Sequence, residues 1–271
     1  MDWRLIVPAA KELAEVDVAA AREIRLRPGQ PVTVLLPEGR WIGRHLLSPG
    51  EVTQAARALS GYGLAARQAE LAAGYLPLPG GHRLGVSGVM GKAGLMEITS
   101  LCVRIAHAVE GAAETVYPRI RGQSALIFGP PGSGKTTLLR DVIRLYGQEG
   151  WQVGVADERG EIAACRDGAP QLNVGPCADV VTGMPKARAL PLLIRAMGPQ
   201  VAAADELGGP EDARAVLDAL RCGVIVVATA HGADPSALRR RPGIGALLGR
   251  GAFERLVALS RVGEAPRILE A

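Results

Sequence analysis

SALIFGPPGSGKTT, residues 124–137, passes from a short apolar run (Ala125, Leu126, Ile127, Phe128) through a glycine-rich turn into Leu138, Leu139, Val142 and Ile143 at helical spacing. The order is strand, loop, helix. Gly129, Gly134, Lys135 and Thr136 occupy the fixed positions of the phosphate-loop pattern G-x-x-x-x-G-K-[ST], in which backbone N–H groups and a helix N-terminus surround a polyphosphate. Glycine is required because several amides must turn inward together and a Cβ would block the phosphates. Gly129, Pro130, Pro131, Gly132, Ser133, Gly134, Lys135, Thr136 and Thr137 are therefore the expected nucleotide-binding residues. Only Lys11, Lys92, Lys135 and Lys186 among the 31 basic residues are lysines, so the chain uses arginine almost everywhere else. The loop kept the compact ammonium that reaches β and γ phosphates where a guanidinium fork would not fit.

The 271 residues suffice for two modest domains, and 48% hydrophobic against 21% charged residues reads as globular. Aromatics at 3% leave the core to Ala, Leu, Val and Ile and supply few platforms for stacking nucleobases. The formal charge of +4 is mild, and no basic run exceeds Arg239-Arg240-Arg241, which argues against a nucleic-acid partner. Cys102, Cys165, Cys177 and Cys222 form no C-x-x-C pair and read as small buried hydrophobes in a reducing compartment. No signal peptide and no transmembrane segment is apparent, so a cytoplasmic protein, or one peripheral at the cytoplasmic face of a membrane, is expected.

Residues 1–107 read as a smaller α+β domain. A helix is expected over about 8–20, strands over 23–27, 32–36 and 40–46, and a helix capped by Ser48, with Pro49 and Glu51 in its first turn. A second helix is expected from about Leu64 to Gly74, followed by two strands from 82 to 106. Residues 108–123 lack sustained periodicity and contain Pro118 and Gly122, which predicts an interdomain linker. From 124 to 271 strand and helix alternate, the pattern of a RecA-like P-loop NTPase domain.

Each strand of that domain ends in a chemically competent group: Asp157-Glu158-Arg159, Asp205-Glu206 and Thr229-Ala230-His231. In a parallel sheet the C-terminal strand ends share one edge, where ligands bind, so these groups should face the loop phosphates. ATP hydrolysis needs a metal site, a group that orients water and positive charge for the transition state. Thr136 and Asp205 are the expected Mg²⁺ ligands. Glu206 is the expected water-polarising carboxylate, with Glu158 its competitor; Lys135, His231, Arg195 and Lys186 are cationic or phosphate-sensing candidates.

These blocks, with GlyMetProLysAlaArg at 183–188 and IleArgAlaMetGlyProGln at 194–200, resemble the stage III sporulation protein AA family of endospore-forming bacteria. The likeness extends to GluIleArgLeuArg at 23–27, GlyGlyHisArgLeuGlyValSerGly at 80–88 and SerLeuCysValArgIleAla at 100–106. That family is similar to type II and type IV secretion ATPases. The resemblance implies a homo-hexameric ring with ATP and Mg²⁺ bound between the two domains, and N-terminal arginines, here Arg83 and Arg104, that approach the phosphates. It also implies a mother-cell role in which the ATPase powers a secretion-like complex through an inner-membrane platform protein. In those ATPases an acidic box matches the Asp157 segment and a histidine box the His231 segment. The strand VAAA at 201–204 departs from the usual bulky β-branched residues. On the residues alone, a nucleic-acid-linked RecA or AAA-type ATPase and a nucleotide-dependent scaffold without significant hydrolysis stay open.

Overall fold

The computed structural model describes residues 10–61, 75–91, 94–107, 109–260 and 264–271. They fall into two compact units, Met1–His107 and Ala108–Ala271. The first is built on β1 (Glu23–Leu26), β2 (Pro31–Leu36), β3 (Gly39–Leu46), β4 (Leu76–Pro77), β5 (Arg83–Gly91) and β6 (Gly94–Arg104). Their order across the sheet is β3-β2-β1-β6-β5-β4, and every pairing is antiparallel. Alternation decides which face is covered: Ile24, Leu26, Val32, Val34, Leu84, Leu101 and Val103 are buried with Val52, Ala55, Ala56 and Leu59 of the helix Pro49–Leu59. Each such Leu or Ile contributes about 1.5–3 kcal/mol, so a one-residue slip in register would forfeit the whole face.

The helix Pro49–Leu59 starts as its sequence predicts. Ser48 Oγ accepts the Glu51 N–H at 3.3 Å, and the Glu51 carboxylate accepts the Ser48 N–H at 2.7 Å. The helix expected over 8–20 is instead described only as Ala10–Leu13. Beyond it the Asp17 carboxylate accepts the Ala19 N–H at 3.0 Å, a local bond that competes with helix continuation. The helix expected from Leu64 to Gly74 lies outside the described residues.

The segment expected as a linker is packed structure in the second unit. Ala113, Val116, Tyr117 and Ile120 are buried, Ala113 N–H donates to Asp141 at 2.7 Å, and Gly122 N–H donates to the Tyr146 hydroxyl at 3.0 Å. The one helix among its described residues, Tyr117–Ile120, is too short to show a period, and the side chains that bond the segment's amides come from 24 or more residues away.

The second sheet contains β7 (Ala125–Gly129), β8 (Val153–Asp157), β9 (Ala178–Thr182), β10 (Val201–Ala204), β11 (Ile225–His231), β12 (Arg255–Ala258) and β13 (Arg267–Glu270). Its order is β13-β12-β7-β11-β10-β8-β9, parallel except for β13. Both faces are covered: Leu126, Phe128, Ala202, Ala204 and Val226 join one core, and Ala125, Ile127, Val201, Ala203 and Val227 the other. That is why these strands read as unbroken apolar runs rather than alternating ones. The alanines of β10 sit in the middle of the sheet, buried between the two cores. The half-exposed edge strand β9 falls within a stretch that reads as irregular from sequence.

Parallel register brings the strand ends together. Ala204 pairs with Ala228 on one side and Ala156 on the other, so Asp205 follows beside Thr229 and Asp157. His231 pairs with Gly129, the first glycine of the loop.

Candidate functional site

The loop between β7 and the helix Lys135–Gln148 is shaped by glycines. A Cβ on Gly129 would lie 2.4 Å from the Leu259 carbonyl oxygen and 2.7 Å from Ser133 Oγ. Gly132 and Gly134 have φ of 74° and 90°, the left-handed region. Lys135 folds back over this turn, its Nζ donating to the carbonyls of Pro130 at 2.8 Å and Gly129 at 3.1 Å. Ser133 Oγ is buried with no hydrogen-bond partner among the described residues.

A cavity of about 410 Å³ opens beside the loop, lined by Pro131, Gly132, Gly134, Lys135, Thr136, Thr137, Arg159, Glu161, Asp205, Glu206, Thr229 and His231. Thr136 Oγ1 donates to Asp205 Oδ2 at 2.9 Å, and the Thr229 hydroxyl donates to Asp205 Oδ1. Glu206 has φ of 54°, a left-handed conformation costing about 1–2 kcal/mol for a residue with a side chain. Contacts hold it there: its N–H donates to Thr229 Oγ1 at 2.7 Å, Oε1 lies 2.6 Å from His231 Nε2, and Oε2 pairs with Arg159. Arg241 braces the same corner, donating to the carbonyls of His231 at 2.6 Å and Leu207 at 3.3 Å.

Burial dominates the electrostatics of Lys135 and Asp205. Burial pushes the Lys135 ammonium down, against the pull of Asp205 and Glu206. Burial pushes the Asp205 carboxyl up, although both threonine hydroxyls oppose it. A polyphosphate beside Lys135 and a divalent cation beside Asp205 would be charge-complementary to these two groups. Among the described residues no cluster of three or more His, Cys, Asp or Glu is arranged to hold a metal. The Thr136 hydroxyl and the Asp205 carboxylate are oxygen donors of the kind Mg²⁺ takes, an ion that keeps most of its other ligands from water and substrate.

The acidic segment after β8 is anchored by Asp157, whose carboxylate accepts the N–H groups of Glu161, Ile162 and Ala163 at 2.8, 3.0 and 2.9 Å. Arg140, from the phosphate-loop helix, donates to the carbonyls of Glu161 and Ile162, each at 2.6 Å. This turn brings Glu161 and Arg159 to the cavity. Glu158 is not among the lining residues: it pairs with Lys186 at 2.5 Å, which holds its carboxyl below the usual range. Arg195 is exposed on the helix Lys186–Met197 and donates to the Pro191 carbonyl of its own helix at 3.3 Å.

Arg83 and Arg104 belong to the first unit, where they line a cavity of about 300 Å³ with Arg25, Tyr75, Ser87, Ser100 and Cys102. They stand directly opposite each other across β5 and β6, a like-charge pairing that costs stability in an antiparallel sheet. Arg83 lies over the Tyr75 ring at 4.7 Å. Arg25, which motif reading passed over, is held by Glu23 at 3.0 Å; the alternation of Glu23, Ile24 and Arg25 is the signal that puts both charged groups on the open face. Thr229, named only as part of a strand end, and Glu161 have no role of their own in the sequence reading, because only the register and the Asp157 turn bring them to the loop.

The family model described as sporulation stage III, protein AA, matches residues 8–270. The chain belongs to the sporulation stage III protein AA family. Stage III sporulation protein AA of Bacillus subtilis (strain 168) is 40% identical over 264 residues, covering 92% of this chain and 83% of that protein. Two solved ATPase structures are similar in fold. DotB of Yersinia pseudotuberculosis has a TM-score of 0.69 at 16% identity, over 97% of this chain and 79% of that one. The pilus retraction motor PilT, with bound ADP, has a TM-score of 0.68 at 17% identity, over 97% and 82%. At these identities the likeness is one of architecture: a RecA-like domain preceded by a smaller α+β domain, as in the secretion ATPases. Every residue discussed above lies within the span matched by the family model.

Proposed function

We propose that this chain is an ATPase that converts MgATP and water to ADP and phosphate, and that it drives a secretion-like complex in endospore formation. The observation that carries the reading is the Thr136–Asp205 hydrogen bond at 2.9 Å, with Glu206 lining the same cavity as the phosphate loop. Residues 129–137 hold the phosphates, and Lys135 exchanges its carbonyl partners for phosphate oxygens. Thr136 and Asp205 hold Mg²⁺, which when bound neutralises charge on the phosphates. Glu206 orients the attacking water and takes its proton, with Glu161 the second carboxylate facing the cavity. Glu158 has a positioning role through Lys186. His231, whose Nδ1 is buried without a partner among the described residues, reads the terminal phosphate. Arg83 and Arg104, joined by Arg25, form an anion-binding face in the first unit for which phosphate oxygens are matching ligands.

The fold shared with the ATPase DotB and the pilus retraction motor PilT supports a motor, and we propose a homo-hexamer acting on an inner-membrane platform protein from the cytoplasmic face in the mother cell. Among the described residues no helix is long and apolar enough to cross a membrane. Phosphate release from ATP by the purified chain tests the reading. Turnover that requires Mg²⁺ and falls at least about 100-fold in Asp205→Asn is expected; absent turnover, or turnover indifferent to that change, overturns it.

A further inference from the structure

We propose that Arg159 is a nucleotide-dependent positioning residue: it holds Glu206 until a triphosphate arrives, then transfers to the terminal phosphate and leaves Glu206 free to engage water. This rests on the ATPase reading above and adds to it a device that tells ATP from ADP.

Both oxygens of Glu206 are engaged, one by His231 Nε2 at 2.6 Å and the other by Arg159. The pair is asymmetric in its surroundings. The Arg159 side chain is 65% exposed while Glu206 is 28% exposed, so the guanidinium reaches in from solvent to a carboxylate held by the fold. An ion pair with so wet a partner is weak, too weak to resist a better anion. A terminal phosphate carries more charge than a carboxylate and accepts two parallel N–H bonds from a guanidinium. Arg159 and Glu206 line the cavity that also contains Lys135 and Thr136, so the competing anion would arrive where the pair already sits.

The backbone around Arg159 is fixed, and this confines the exchange to the side chain. Asp157 accepts the amides of residues 161 to 163, and Gly160 N–H donates to the Asp157 carbonyl at 3.2 Å, closing a tight turn with Arg159 at its tip. Gly160, with φ of 64°, permits that turn. On the other side of Arg159, Glu158 is tied to Lys186. His231 is the terminal residue of β11 and keeps its hold on Glu206 while the guanidinium moves.

The test is equilibrium binding of ADP and of a non-hydrolysable ATP analogue, both with Mg²⁺, to the full chain and to Arg159→Ala, Arg159→Lys, Glu206→Ala and the Arg159→Ala/Glu206→Ala double variant. Arg159→Ala should leave ADP affinity within about 2-fold and weaken the analogue about 10-fold or more, with Arg159→Lys recovering part of the loss. The ADP affinity also reports that each variant is folded. In steady state the alanine variant should raise KM for ATP, because the terminal phosphate loses its guanidinium while Glu206 is already free of that hold. Glu206→Ala should tighten the analogue in the presence of Arg159 and less in its absence, the coupling that a shared guanidinium predicts. An equal loss for both nucleotides, no loss for either, or additive double-variant energies overturns the inference while leaving the ATPase reading intact. A wild-type chain that binds neither nucleotide overturns both.

Discussion

In the first unit Arg25, Arg83 and Arg104 stand on the open face of antiparallel strands, whereas in the second Lys135, Asp205, Glu206 and His231 are gathered at the ends of parallel strands and the start of a helix. The difference lies in what surrounds each charge. The arginine face is one layer deep, and its charges meet their cross-strand neighbours directly: Glu23 stands opposite Arg104 on β1, and Arg83, a like charge, stands opposite Arg104 on β5. The loop cavity has helices and sheet behind it, so Lys135 and Asp205 are desolvated enough to shift in proton affinity. A face of this kind can attract an anion. A cavity of the other kind can hold one in a defined place while chemistry is done on it.

Lys135→Ala attacks this contrast where the expected effect is largest. Turnover of ATP should fall by about 10³-fold or more, on the order of 4 kcal/mol of transition-state stabilisation, whereas Arg25→Ala should leave measurable turnover. Equal losses in a phosphate-release assay would erase the distinction between the two sites. Glu206→Gln comes next: it should lower kcat about 10²- to 10³-fold, and Glu158→Gln less than about 10-fold, because only the first lines the cavity. A reversed order would move the water-activating role to the other strand end.

Smaller effects separate the units by stability. Tyr146→Phe leaves the Gly122 N–H without its acceptor and should cost about 1–2 kcal/mol in denaturant unfolding, with protection from hydrogen exchange lost first around residues 113–123. If that segment exchanges freely in the wild type, it behaves as the linker the sequence predicts.

The smallest effect belongs to the first unit. His82 Nδ1 accepts the Ala106 N–H at 2.9 Å, and burial holds the ring's pKa down to about 4, against the usual 6.5. The folded value lies below the unfolded one, so the contribution is complete above pH 6.5 and is lost as pH falls from 6.5 toward 4, where the unfolded chain takes up the proton first. With the ring only half-buried the loss should be about 1 kcal/mol after solvent screening. Urea unfolding from pH 7 to 4 should show this slope in the wild type and not in His82→Gln.

Much of the second unit was legible in its residues. The phosphate loop, the apolar strands and their acidic or histidine ends are local patterns, and a parallel sheet obliges those ends to share an edge. The antiparallel strands of the first unit and the Ser48 cap were legible for the same reason. Residues 113–123 were not, since what orders them is Asp141 and Tyr146, reached only through the fold. Nor could Glu206 and Glu158, carboxylates at neighbouring strand ends, be ordered: the fold ties Glu158 to Lys186 and brings Glu206 to the cavity.

By itself, then, the sequence determined that this chain carries the pattern G-x-x-x-x-G-K-[ST] in a RecA-like domain, because glycine conformation, apolar periodicity and strand-end chemistry act over a few residues at a time. Only the tertiary structure decided which groups meet. The pairing of Ala204 with Ala228 set Asp205 beside Thr229, and the left-handed turn at Glu206 delivered its carboxylate to His231 and Arg159. Those contacts depend on sheet register and on burial, which no short stretch of the chain contains.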